Sequence, residues 1–412
     1  MSLIQGTFIL VAVSGCAYFL FCLRQFDFFS VAFFSACVYF LPGFFGYTVA
    51  PVGVGMAAPV DLEDRTYLVM VAVLIVVWAG ALLFDHVGGS HAAGWDINGS
   101  AEAAWCATLF AVIGYALIWV TAGEALLNDD KTAMMESLNR WHVLGATAAP
   151  LGAVLAFASR RWLLLTVCMA LLLFDMYIGF RVSFGIALIS IFTLHLSHYG
   201  PQRFAVQNWR LGCLGVASVV LLFVYKQIYV AVKLGLWDVI LDRLTDTELY
   251  ATAILMSEPF NTQAILNEVI AQDFHVSMEH FQDVLLQFLL FSPELGGTPH
   301  SFNEFFQGTL FPSDLEYGMA NNIWAEMVSS GGWSLLGLFL VAFVLMLMLG
   351  SYWIRSRDTT VAAGVAVMFS YWAFYIHRND LLYQVNLEKR TILVWIACLV
   401  LSRFFTLTPM RY

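Results

Sequence analysis

Apolar runs of about 20 residues recur along the whole chain, long enough to cross a bilayer core of about 30 Å. In lipid every backbone N–H and C=O has to find its partner inside the protein, so such runs fold as helices. Composition agrees: 60% of the residues are hydrophobic, 12% are charged and mean hydropathy is +0.78, outside the range of soluble domains. The pattern predicts an all-α polytopic membrane protein of about eleven transmembrane helices. They fall near 3–23, 28–50, 67–84, 102–122, 143–158, 162–179, 182–198, 211–231, 332–354, 361–376 and 391–407. Pro42 and Pro150 lie inside two of them and should kink them. The first run has no basic start and no small-residue cleavage site, which predicts a retained helix rather than a signal peptide.

Residues 234–330 break the pattern. This long loop separates a first membrane region, 1–233 with eight helices, from a second, 331–412 with three. Residues 235–330 hold about 14 acidic groups against one arginine, Arg243, which leaves the remainder of the chain at about +3, so the acidity behind the formal charge of -10 belongs to the loop. An acidic surface of this kind excludes nucleic acid as a partner, because phosphate binding relies on Lys and Arg. Within the loop, 261–291 reads as an amphipathic helix, with Ala264, Ile265, Val269, Ile270, Phe281 and Val284 at three- and four-residue spacing. Its end, 283–291, is too short to span and is expected to lie on the membrane surface or to re-enter. A loop of this length is usually functional.

Basic residues near helix ends favour the cytoplasm. Arg160-Arg161, Arg203 with Arg210, Arg355 with Arg357, and Arg403 recur at every second boundary, which predicts the loop, Arg181 and the 377–390 connection on the opposite, extracytoplasmic side. The seven cysteines avoid the loop and form no C-x-x-C, so no disulfide framework is expected. No phosphate-loop, zincin or hydrolase-elbow motif occurs. His275, Glu279 and Asp283, with His280 adjacent, share a helix face, and the set reads as a solvated face rather than a metal site. No metal and no other cofactor is expected.

Cations on the extracytoplasmic side need a reason, since orientation does not ask for them. Arg181, between two apolar runs in Gly179-Phe180-Arg181, is either a snorkelling helix-end arginine or an anion clamp whose forked guanidinium matches phosphate oxygens. Arg378, in His377-Arg378-Asn379-Asp380, pairs with Asp380 or a headgroup, or adds a second phosphate contact at the same depth. Arg243, among Asp238, Asp242 and Asp246, is a local ion-pair partner or a third cation. Candidates for a general base are Glu326, close to Asn321 and Asn322, and Glu304 with His300; Glu326 at a helix start also suits the helix dipole.

These residues carry a resemblance. An arginine opening a helix, a large outside loop, Phe311-Pro312 and Asn321-Asn322-Ile323-Trp324-Ala325-Glu326 before Gly331-Gly332-Trp333 resemble the bacterial O-antigen and oligosaccharide repeat-unit polymerases of the Wzy type. His377-Arg378-Asn379-Asp380 is similar to the Arg-Gly-Asp-like turn that many of them carry before their final helices. The resemblance implies a GT-C-like fold in the bacterial inner membrane with a periplasmic active face. The substrates would be undecaprenyl-diphosphate-linked oligosaccharides as donor and acceptor, with membrane lipids around them and a chain-length regulator as a further partner. Arg181 and Arg378, with Arg243 and His377, would hold the donor diphosphate; Asn321, Asn322, Trp324 and Asp380 would line the acceptor side, together with the aromatic rings Tyr317, Phe302 and Phe305. Related O-antigen ligases tend to have His-Asn where this chain has Asn321-Asn322, which leaves the base open between Glu326, Glu304, His300 and His377. The rival readings are a ligase-like transferase, a flippase or transporter of lipid-linked sugars, for which Asp175 and His195 are the intramembrane candidates, and a non-catalytic scaffold.

Overall fold

The computed structural model describes residues 2–53, 56–87, 100–127, 131–289, 299–312 and 319–406. The protein is 79% helical, and among the described residues seven helices are long and apolar enough to cross a membrane. They are α1 (Leu3–Phe21), α4 (Asp64–Val87), α5 (Ser100–Ala122), α7 (Arg140–Ala158), α11 (Trp209–Lys233), α17 (Ile323–Trp353) and α18 (Thr359–Ser370) with the turns that follow it. Shorter apolar helices α2 (Phe28–Tyr39), α8 (Trp162–Tyr177) and α9 (Val182–Ser197) stand among them. The remaining helices are α3 (Leu41–Phe45), α6 (Lys131–Ser137), α10 (Phe204–Gln207), α12 (Trp237–Thr245), α13 (Thr247–Leu255), α14 (Glu258–Ala271), α15 (Met278–Leu286), α16 (Phe302–Phe306) and α19 (Leu381–Thr406).

Small residues bring the central helices together. A Cβ on Gly114 of α5 would lie 2.5 Å from the backbone N of Gly145 on α7, so these two backbones are in near contact, as small-residue packing in membranes allows. Pro150 stays inside α7, buried, where its missing N–H is tolerated among neighbouring helices. In contrast, none of the spanning window of α11 is buried; it stands at the periphery, packed mainly on α10 and α12.

Several expected elements differ. The helix expected at 28–50 is α2 and α3 followed by a strand, β1 (Tyr47–Gly53), which pairs antiparallel with β2 (Met56–Asp61). Pro42 starts the short α3 instead of kinking a long helix, and Gly46 at φ +90° ends it, a conformation that glycine adopts without a Cβ penalty. The helix expected at 261–291 is two helices, α14 and α15, separated at Asp273, whose φ is +50°. α14 is not amphipathic in place: Thr262, Gln263 and Asn267 are as buried as Ile265 and Leu266, because β1, α2, α3, α4 and α17 surround it. Residues 290–291 of that run lie outside the described residues. The helix expected from 332 begins at Ile323, and α17 carries non-helical residues Gly331 and Gly332 (φ +63°). At 31 residues and 1.5 Å per residue α17 is about 46 Å long, more than a bilayer core, so the glycine break separates an extra segment from the spanning one. The last helix starts at Leu381, ten residues before the expected 391.

A buried ion network ties one end of the bundle. Arg24, after α1, reaches Asp27 (3.2 Å) and Asp85 at the end of α4 (3.0 Å), and Arg355, after α17, reaches Asp27 at 3.4 Å. A backbone bridge from Arg24 to Gln202 adds the segment after α9. The opposite helix ends carry Arg181, Glu326 and Arg378.

Candidate functional site

α8 ends in a paired Schellman turn that delivers Arg181. Gly179, at φ +111°, donates its N–H to Met176 O (3.1 Å), and Phe180 donates to Asp175 O (2.9 Å). The Asp175 side chain is fully buried against His142 of α7, with Nε2 and Oδ1 2.9 Å apart, and the His142 ring packs on Phe180 at 4.8 Å. Arg181 follows at the N-cap of α9, half-buried. Desolvation draws its guanidinium down from the ordinary value; Glu258 opposes this, Arg378 adds to it, and Tyr229 and Tyr375 stand in the same field.

Arg378 reaches the same place from α18. After Ser370 the chain makes a π-helical turn, Tyr371–Tyr375, and a 3₁₀ turn, Ile376–Arg378, a local irregularity of the kind frequent at functional sites. Arg378 Nη1 lies 3.0 Å from Glu258 Oε1 and donates to the Tyr375 hydroxyl at 2.7 Å, while its carbonyl accepts from Asn321 N–H (3.0 Å). Arg378 thus contacts a carboxylate and a tyrosine whose charges are also felt at Arg181, far away in sequence. His377, one residue earlier, points the other way. It is fully buried, stacked on Tyr39 at 5.6 Å, and its Nδ1 accepts from Trp324 Nε1–H at 3.0 Å.

The 321–326 segment abuts this turn. Asn322 caps α17: its Oδ1 accepts from Trp324 N–H (3.0 Å) and Ala325 N–H (3.1 Å), and its Nδ2 donates to Thr262 O of α14 (2.8 Å). Trp324 is fully buried between Phe339 and Phe343, so it serves the core rather than an open sugar platform. Glu326, also fully buried, accepts from Leu381 N–H through Oε2 (2.7 Å), and its Oε1 faces His280 Nε2 at 3.8 Å. Neither of those last two atoms has a hydrogen-bond partner. Burial holds the His280 imidazole below its ordinary pKa, with Asp380 and Asp283 opposing.

Asp380 organises the strap that covers this region. One carboxylate oxygen accepts from Ser301 Oγ (2.5 Å) and Phe302 N–H (2.9 Å); the other accepts from Tyr383 N–H (2.8 Å) at the start of α19. Asn321 Nδ2 also donates to Ser301 Oγ at 3.2 Å. Ser301 and Glu304 form a capping box on α16, and Glu304 Oε2 contacts His300 Nδ1 at 2.6 Å. That second carboxyl–imidazole pair is exposed, and the His300 contact and the Ser301 N–H hold the Glu304 carboxyl below its usual range.

The structure thus brings together Arg181, Arg378, Asn321, Asn322, Glu326, Asp380, and, one layer out, His300 and Glu304. It does not bring Arg243: that side chain is exposed on α12 and donates to Gln227 O (2.7 Å). Of the expected aromatic rings, Phe302 is buried, Phe305 packs on His280 at 4.7 Å, and Tyr317 lies outside the described residues. Among the described residues no three His, Cys, Asp or Glu side chains converge on a metal position. Sequence reasoning missed Glu258, Tyr375 and Ser301. Tyr375 had a signal, three residues before Arg378 on a helical turn; Glu258 had only the Ser257-Glu258-Pro259 helix start, which says nothing of a cation. No family model, curated protein or solved structure matches the chain, which leaves the geometry of these residues to carry any assignment.

Proposed function

We propose that the protein is a polymerase of undecaprenyl-diphosphate-linked oligosaccharide repeat units. It works at the periplasmic face of the bacterial inner membrane on a GT-C-like scaffold of about eleven spans. The observation that carries this reading is the convergence of Arg181 and Arg378 at one end of the bundle, opposite the Arg24–Arg355 network. Two forked cations with a tyrosine hydroxyl suit a lipid diphosphate, and their fixed charge stabilises the leaving group as it departs. The acceptor hydroxyl oxygen bonds to the anomeric carbon from the face opposite the diphosphate. The C–O bond to the diphosphate breaks with its electron pair on the phosphate oxygen, and configuration inverts. The hydroxyl proton passes to a carboxyl–imidazole pair, Glu304–His300 at the surface or Glu326–His280 beneath it. Guanidinium groups do the work that a metal ion does in many nucleotide-sugar enzymes.

A lipid-linked sugar flippase is the second reading, favoured by the buried His142–Asp175 pair inside the bundle. One experiment separates them: purified protein in liposomes given lipid-linked repeat units. Chain growth with release of undecaprenyl diphosphate supports the polymerase, and Arg181→Lys or Arg378→Lys should lower turnover by about 100-fold, the scale of losing a transition-state donor. Binding without chain growth, or full turnover in both variants, overturns it.

A further inference from the structure

Glu258 has no role in the reading above, and its placement is specific. It opens α14 ahead of Pro259, with its carboxylate 3.0 Å from Arg378 Nη1 and within the field of Arg181. The helix that presents it is held rigidly. Asn267 Oδ1 accepts from Glu63 N–H (2.8 Å) and Thr66 Oγ1 (2.9 Å), Thr48 Oγ1 donates to Phe260 O (2.6 Å), and Asn322 Nδ2 donates to Thr262 O. The Glu258 and Arg378 side chains are 30% and 32% exposed, so the pair is open to a competitor rather than sealed in the core.

We infer that Glu258 is the resident counter-ion of the Arg181–Arg378 site, occupying the place of an anionic ligand and giving way when a diphosphate binds. This inference rests on the reading of the two arginines as a diphosphate site. With the site empty, two guanidinium groups in one another's field repel, and a carboxylate in contact with Arg378 and within the field of Arg181 relieves that. A phosphodiester headgroup that displaces Glu258 exchanges one ion pair for another and gains little. A diphosphate engages both guanidinium groups and gains the second pair. The carboxylate thereby keeps bulk anionic lipid from filling the site, and its return to Arg378 assists release of the diphosphate product.

The test is binding of farnesyl diphosphate, as a short isoprenyl diphosphate probe, to the full-length protein in neutral detergent. Removing a competitor tightens binding, so Glu258→Gln should lower the Kd by about fivefold, the upper end for a partly exposed pair. In an Arg378→Ala background the same substitution should tighten binding by clearly less, since the direct contact is gone and only the longer-range field at Arg181 is left to relieve. If Glu258→Gln does not fold, Glu258→Asp shortens the reach to Arg378 and should tighten binding by a smaller factor. Weaker binding in Glu258→Gln would make Glu258 a positioning residue for Arg378, and unchanged binding would make it a bystander; either overturns this inference while leaving the diphosphate site standing. No binding by the unmodified protein, or binding indifferent to both Arg181→Lys and Arg378→Ala, overturns the inference and the proposed function together.

Discussion

Asp380→Asn offers the sharpest perturbation of the site's architecture. The carboxylate is fully buried and accepts three hydrogen bonds: two at one oxygen, from Ser301 Oγ and Phe302 N–H, and one at the other, from Tyr383 N–H. An asparagine supplies one acceptor oxygen and one NH₂. If the oxygen keeps Tyr383, the NH₂ meets the Phe302 N–H donor to donor; the Ser301 hydroxyl can rotate, but the backbone N–H cannot. Leaving one buried N–H unpaired costs about 1–3 kcal/mol, which raises the population of the opened strap roughly 5- to 150-fold. Hydrogen exchange reads that population directly as lost protection of the Phe302–Phe306 amides. A local readout is needed because the buried Glu326 accepts from the N–H of Leu381, the residue after Asp380, and relieving the repulsion between two neighbouring carboxyl groups shifts global stability the other way. Unchanged protection across residues 301–307 would refute the view that Asp380 holds the strap and would return it to the acceptor side as an open group.

Asn322→Ala should cost about 1–2 kcal/mol through the lost α17 cap and also removes the Nδ2 bond to Thr262 O, whereas Asn322→Ser keeps most of the cap; thermal unfolding in detergent should place the unmodified protein highest, Asn322→Ser next and Asn322→Ala lowest. The folded pKa of His280 lies below its unfolded value near 6.5 because burial disfavours the imidazolium. Its contribution is therefore fully present above about pH 6.5 and is lost as pH falls toward the folded pKa, so the melting temperature should drop on acidification over that window and His280→Gln should flatten the slope. Gly114→Ala would put a methyl 2.5 Å from the Gly145 backbone N, and forcing α5 from α7 should cost about 1–3 kcal/mol, read as a lowered melting temperature; an unchanged value would mean that the helices are not in backbone contact.

How much of the site was legible follows from how local each feature is. The α8 end in Gly179-Phe180-Arg181 could be read from residues in one turn, because a left-handed glycine followed by a helix start is decided within five residues. The 321–326 and 377–380 stretches were each visible, but their contact through Asn321 N–H and the Arg378 carbonyl was not. The sequence offers His377 and Trp324 as ligand groups, while the fold buries both and bonds them to each other, since a polar tip says nothing about which way a ring turns. The 261–291 helix failed for a related reason: its apolar spacing is real, but the polar face of α14 is covered by β1 and α17, and Asp273 breaks the run.

The sequence by itself determined that this is a nearly all-helical membrane protein with an acidic central loop, because in lipid each apolar run must satisfy its own backbone, a requirement independent of the rest of the chain. Only the fold brings Glu258 onto Arg378 and into the field of Arg181, clasps 301–302 with Asp380, and turns Glu326 toward His280. Those are pairings between groups far apart along the chain. They form where polar and charged groups, costly to leave unpaired away from bulk water, are carried to one another by helices that the apolar pattern has already placed.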